Sequence, residues 1–153
     1  MQLLTFDLEE DDYSLVGIHS TEEDYRLAFL LNQHLNTKLT RYKNNLDFKN
    51  LDAEFPLFEF KDENSYINYY LINNKHKQFV QNQENPGLFG GNYSTIYYLI
   101  PEKKNIDFFL KIEGCYRESF IKNLIDKLNA LNQIITSYAI DTTTLKSKDH
   151  LIF

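Results

Sequence analysis

Tryptophan is missing from this 153-residue chain, cysteine and methionine occur once each, and there are only five glycines and three prolines. A single cysteine, Cys115, excludes an internal disulfide and any cysteine-based zinc cluster. Long apolar runs are lacking too. No stretch approaches the roughly 20 residues that a membrane-spanning helix needs, so no membrane association is expected. The opening "MQLLTFDLEEDD" has no basic region ahead of an apolar one. No signal peptide is read there, and the cytoplasm is the expected compartment. Positive charge is the next scarcity: 16 Lys and Arg face 22 Asp and Glu, a net charge of −6, and only three of those cations are arginines. Such a chain repels phosphate backbones unless its cations cluster, so nucleic acid is not an expected partner.

Aromatic residues are what the chain has in excess, with 12 Phe and 11 Tyr. Lys outnumbers Arg, Asn and Ile are common and Ala is scarce, the pattern of an AT-rich bacterial genome. That bias explains how many aromatics there are, but not where they sit. With 42% hydrophobic and 25% charged residues, the composition is that of one globular domain over 1–153, large enough to bury a core without covalent staples.

Residues 13–19, "YSLVGIH", form an apolar run too short for a helix and read as a strand. Ser20 and Glu23 then match a capping box, and leucines 27, 30, 31 and 35 recur at helical spacing, predicting a helix over 21–37. Around "KDENS" two aromatic and β-branched runs predict a β-hairpin, with Pro56 near its first strand. The segment "HKQFVQNQENPGLFGGN" reads as a long loop. "STIYYLI" and "NIDFFLKI" read as a second hairpin joined by "PEKKN". In it Ile106, Phe108, Leu110 and Ile112 face one way, and Asp107, Phe109, Lys111 and Glu113 the other. A regular apolar stripe from Ile121 to Tyr138 predicts a helix over 116–139. The polar tail from about 141 reads as flexible. Together these elements predict an α+β fold, a two-layer sandwich in which two helices cover one face of a mainly antiparallel sheet of about five strands.

Few side chains suggest chemistry. His19 stands next to Glu22, Glu23, Asp24 and Arg26 at a strand-to-helix junction, where a carboxylate-oriented imidazole can serve as a general base. Capping of the helix explains the same carboxylates without any catalysis. Glu102 and Asp107 can meet across their turn, but Lys103 and Lys104 beside Glu102 point to a turn charged for solubility. Asp107 beneath two aromatics needs a partner if covered, and Tyr97 and Lys111 are the candidates. His34, His76 and His150 lack metal-ligand spacing, the glycines match no phosphate-cradling pattern, and Cys115 reads as a packed thiol. No catalytic residue, metal or cofactor is therefore expected.

The segment Ile100-Pro101-Glu102-Lys103-Lys104-Asn105-Ile106-Asp107-Phe108 resembles the signature of the IPExxxVDY family of small bacterial proteins, with Ile for Val and Phe for Tyr. "LVGIHSTEEDYRLAFLLN" is similar to that family's other recognisable segment. The resemblance spans most of the chain and implies no activity, cofactor or catalytic residue. The reading reached is a non-catalytic protein-interaction or scaffold module. Its expected surface is Phe109 with Tyr97, on the sheet face away from the helices, meeting another protein or a second copy. Two intramolecular rivals for that face are the glycine-rich loop and the C-terminal "LIF". The alternative function is a small enzyme with its site around His19.

Overall fold

The computed structural model describes residues 12–47, 53–80, 93–115 and 117–153. Six strands form an antiparallel sheet in the order β10-β1-β9-β6-β5-β2. They are β1 (Tyr13–His19), β2 (Thr40–Arg41), β5 (Leu57–Asp62), β6 (Ile67–Asn73), β9 (Phe108–Glu113) and β10 (Thr136–Ile140). Two ribbons stand apart from it: β3 (Leu46–Asp47) with β4 (Glu54–Phe55), and β7 (Lys75–Val80) with β8 (Tyr93–Tyr98). The helices are α1 (Asp24–His34) and α2 (Glu118–Asn129). The fold is α+β, with both helices on one face of the sheet.

Alternation along the strands sorts the residues into two cores. Val16, Ile18, Phe58, Tyr69, Leu71, Phe108, Leu110 and Ile112 point at Leu27 and Leu31 of α1 and at Ile121, Leu124 and Leu128 of α2. Leu15, Leu57, Tyr70, Ile72 and Phe109 point the other way, into a second core with Phe55, Leu99, Ile100, Ile106, Leu145 and Leu151. The face opposite the helices is therefore covered from within the chain, by the two ribbons, the 99–106 segment and the C-terminal tail. Gly17 stands opposite Phe109 in the ladder. A Cβ there would lie 2.9 Å from Ile140 Cδ1 and 3.0 Å from Ile106 Cδ1, so the glycine makes room for both.

The hairpin around "KDENS" forms as β5–β6. Asp62 nucleates its turn by accepting from the Asn64 amide at 3.0 Å and the Ser65 hydroxyl at 2.7 Å. The other expected hairpin does not form. β8 pairs with β7, while β9 lies between β1 and β6, so "PEKKN" is a crossover from an outlying ribbon to the centre of the sheet. Because the regular strand begins only at Phe108, Ile106 is freed from the alternation and enters the second core.

Both helices are shorter than their apolar spacing suggests. The expected capping box is absent: Glu23 is the N-cap of α1 without a side-chain bond, and the Ser20 hydroxyl donates to the Gln133 carbonyl at 2.8 Å instead. At the exit, Asn32 Oδ1 accepts from the Thr37 hydroxyl and the Leu39 amide, and Asn36 takes φ 56°. α2 stops at Asn129, and residues 136–140 leave the helical stripe to pair with β1, which would otherwise be an open edge. The first five residues of the expected loop, 76–80, belong to strand β7, and its remainder, "NPGLFGGN" included, lies outside the described residues. The tail is held by 3-10 turns at Thr142–Thr144 and Lys148–Leu151, with Leu145 and Leu151 buried.

Candidate functional site

The crossover that follows β8 is organised by one buried side chain. Asn74, between β6 and β7, is fully buried. Its Nδ2 donates to the carbonyls of Lys103 at 2.9 Å and Ile106 at 2.8 Å, and its Oδ1 accepts from the Ile100 amide at 2.8 Å. Its backbone joins in, donating to the Asp107 carbonyl and accepting from the Leu99 amide. This amide shapes the chain from Leu99 to Asp107. Nothing in the sequence singles it out, since "INNKHK" reads as ordinary polar chain.

Inside that frame the motif residues point in different directions. Ile100 is buried in the second core, Phe108 in the helix-side core, and Pro101 opens a 3-10 turn over Pro101–Lys103. The proline supplies a fixed φ where no helical donor is needed. Glu102 reaches outward to the tail. Its Oε2 accepts from the amide of Ser147 at 2.7 Å and from that of Lys146, and its Oε1 accepts from the Ser147 hydroxyl at 2.9 Å. Slight burial pushes the Glu102 carboxyl up, but its own amide together with the Ser147 and Lys146 donors outweighs that and holds it below the usual carboxylate value.

Asp107 faces the start of the chain. Its Oδ2 accepts from the Ser20 amide at 2.9 Å, and its Oδ1 lies 3.0 Å from Lys75 Nζ. The partners are neither Tyr97 nor Lys111. Glu102 and Asp107 serve different segments, so they do not form a carboxylate pair.

Lys111 occupies the second face instead. It is 4% exposed, with Nζ donating to the Leu151 carbonyl and 3.1 Å from Glu113 Oε1. The rings of Tyr13, Tyr70 and Phe153 surround it, with Nζ 4.9, 5.5 and 4.3 Å from their centroids. A buried ammonium needs such compensation. Tyr70 beside it has its phenol pushed up, by burial first and then by the carboxylates of Glu113 and Glu59.

The expected interaction surface is not a surface. Phe109 is wholly buried, and Tyr97 is half-buried against the same core. Ile72, Ile106 and the tail fill the space that β9 was expected to leave open. Nor do the residues around His19 converge. Glu23 is the cap of α1, Asp24 accepts from the Tyr25 amide, and the Arg26 guanidinium lies over the Tyr25 ring. His19 turns to β10, where its Nε2 lies 2.9 Å from the Tyr138 hydroxyl. Tyr138 in turn lines a polar cleft of about 370 Å³ with Pro101, Glu102, Lys103, Lys104 and Ile106. A larger cleft of about 520 Å³ lies between β1, α2 and the end of β10, lined by Tyr13, Leu15, Arg117, Ile121 and Thr142 among others.

Cys115 is a free, buried thiol. Among the described residues, no group of three or more His, Cys, Asp or Glu side chains is placed to hold a metal ion, and no helix is long and apolar enough to cross a membrane. Comparison with known proteins yields no matching family model, no matching curated protein and no matching solved structure.

Proposed function

We propose that the chain is a non-catalytic protein-interaction or scaffold module of the cytoplasm, and a member of the IPExxxVDY family by its segment 100–108. An aromatic pair on α1 supports the interaction reading. Tyr25 and Phe29 stand one helical turn apart and are 57% and 62% exposed, while Leu27, Ala28 and Leu31 hold the helix to the sheet. A single exposed apolar residue needs no explanation, but two aromatics one turn apart on one helix face offer rigid, low-entropy contact area. The simplest partner is a second copy of this chain.

Light scattering coupled to gel filtration across a concentration series tests this on wild type and on Tyr25→Ser/Phe29→Ser. A concentration-dependent dimer that becomes a monomer of unchanged melting temperature is the expected result. A wild type that stays monomeric at high concentration removes self-association. An assembly that the double variant leaves intact removes α1 as the surface.

A second reading, a small enzyme, is favoured by the contact between His19 and Tyr138 beside a polar cleft. An imidazole bonded to a phenol can pass a proton between them and a bound substrate. Screening small metabolites by NMR tests it at these two residues. An absence of ligand-dependent shifts at both would discard it.

A further inference from the structure

We infer that residues 141–153 form a latch over the second face of the sheet, with its release point at the Glu102 carboxylate and its fixed end at Lys111. The tail lies on the fold without being part of its sheet. Main-chain bonds of its turns, such as Leu145 to Thr142 and His150 to Ser147, close within the tail itself. Among the described residues, two side chains hold its main chain to the rest of the molecule: the Glu102 carboxylate accepts from the amides of Lys146 and Ser147, and Lys111 Nζ donates to the Leu151 carbonyl. A third tie comes from the tail's own His150, whose Nδ1 lies 2.7 Å from the Leu99 carbonyl.

The two main-chain ties differ in kind. Lys111 is buried, ringed by Tyr13, Tyr70 and Phe153, and supported by Glu113. Water does not compete there, so that end is held by desolvated contacts. Glu102 faces solvent, where water competes for every donor it binds. Only Leu145 buries an apolar side chain within the first seven residues of the tail, whereas Leu151 is wholly buried beyond it. Segments with few buried apolar contacts and solvent-exposed hydrogen bonds open locally, at lower free energy than global unfolding. The 141–147 half therefore opens first, as a loop held at one end by β10, whose Ile140 pairs with Leu15, and at the other by the Lys111 contact. Lifting it uncovers the contacts of Leu145 with the core that holds Leu99, Ile100 and Ile106. Glu102 of the Ile-Pro-Glu stretch thus acquires a role distinct from Asp107, which secures the other side of the crossover.

The inference does not depend on the interaction reading, because its test is local exchange and not association. Native-state hydrogen exchange is followed by mass spectrometry on the full chain as wild type, Glu102→Ala, Glu102→Gln and Lys111→Met. Glu102→Ala should speed exchange in 141–147 by ten-fold or more and leave β1, β6 and β9 unchanged. Glu102→Gln, which keeps an acceptor oxygen, should fall between the two. Lys111→Met should loosen 148–153 and leave the Glu102 contacts protected. Two results would overturn the latch: acceleration spread evenly over sheet and tail, which means ordinary destabilisation, or protection of 141–147 that none of the Glu102 variants alters. Glu102→Gln also keeps the test decisive if the alanine variant fails to fold.

Discussion

At Asn74 one carboxamide holds three separate points of the chain, and the physical reason it must be asparagine is the mix of partners. Two carbonyls require donors and one amide requires an acceptor, in a place without room for exposure. Alanine there would orphan two buried backbone groups, the Ile100 amide and the Ile106 carbonyl, while the Lys103 carbonyl keeps the Ile106 amide at 3.1 Å; the expected loss is about 2–6 kcal/mol in urea unfolding, given about 1–3 kcal/mol for each unsatisfied group. Aspartate should do no better, since it donates nothing and buries a charge. Asp107 is a milder case because its carboxylate is partly exposed. The Ser20 amide carries most of its value, as the Lys75 pair is screened by water. Asp107→Ala is expected to lower stability by about 1–3 kcal/mol, while Asp107→Asn, which still accepts from Ser20, should lose clearly less. Equal losses for the two variants would place the value in the ion pair instead.

At the scale of elements, the exposed edge of the sheet is managed by a helix terminus. Asn129, the last residue of α2, donates from Nδ2 to the Ser137 carbonyl at 3.1 Å and accepts at Oδ1 from the Ser137 amide at 2.7 Å. The carboxamide thereby stands in for a neighbouring strand at the second residue of β10, the outermost strand on that side. Open edges invite pairing between molecules. Asn129→Ala is expected to cost about 1–2 kcal/mol and to produce concentration-dependent association in light scattering. A destabilised variant that stays monomeric would limit Asn129 to a local bond. The same contact explains why the long helix expected over 116–139 ends early. Its apolar spacing continues through Ile135 and Tyr138, but both are exposed, and Ile134 and Ser137 are the buried residues. Periodicity alone does not distinguish a helix that continues from one that stops to complete a sheet.

For the molecule as a whole, pH should reveal how much of the packing rests on carboxylates. Asp62 is lowered chiefly by the Ser65 hydroxyl and Asp141 by the Thr143 hydroxyl and amide. Glu102 is lowered because its donors outweigh the opposing effect of burial. A carboxyl whose folded value lies below its ordinary one, 3.8 for Asp and 4.5 for Glu, adds stability that is present above that ordinary value. The contribution is lost as pH falls through the lower folded value. Tyr69 and Tyr70 act at the other limit: burial raises both above 10.0, so their contribution is complete below 10.0 and lost as pH rises beyond it. The melting temperature should be level from about pH 5 to 9 and fall on either side. Glu102→Gln should give a shallower acid limb. An acid limb unchanged by that substitution would mean the tail contributes nothing to it.

Much of this architecture was legible along the chain because it is local. A short apolar run marks β1, aromatic and β-branched runs around "KDENS" mark β5 and β6, alternation marks β9, leucine spacing marks α1, and the two-helix α+β plan follows from them. The face assignment of Phe108, Leu110 and Ile112 needed nothing more than the period of a strand. What alternation leaves open is the occupant of the opposite face. Phe109 reads as an exposed aromatic until Leu145 and Leu151 are brought over it from some 40 residues away. Likewise, "PEKKN" reads as a hairpin turn until β9 is claimed by β1 and β6. Ser20 is a helix cap by spacing and a partner of Gln133 and Asp107 in space. In each case a short-range preference worth about 1 kcal/mol yields to burial and hydrogen bonding between distant segments, which jointly stabilise far more. Local pattern determined the elements and their inner faces. Long-range contact, acting through Asn74, Glu102 and Lys111, decided which elements meet and which surface is left exposed.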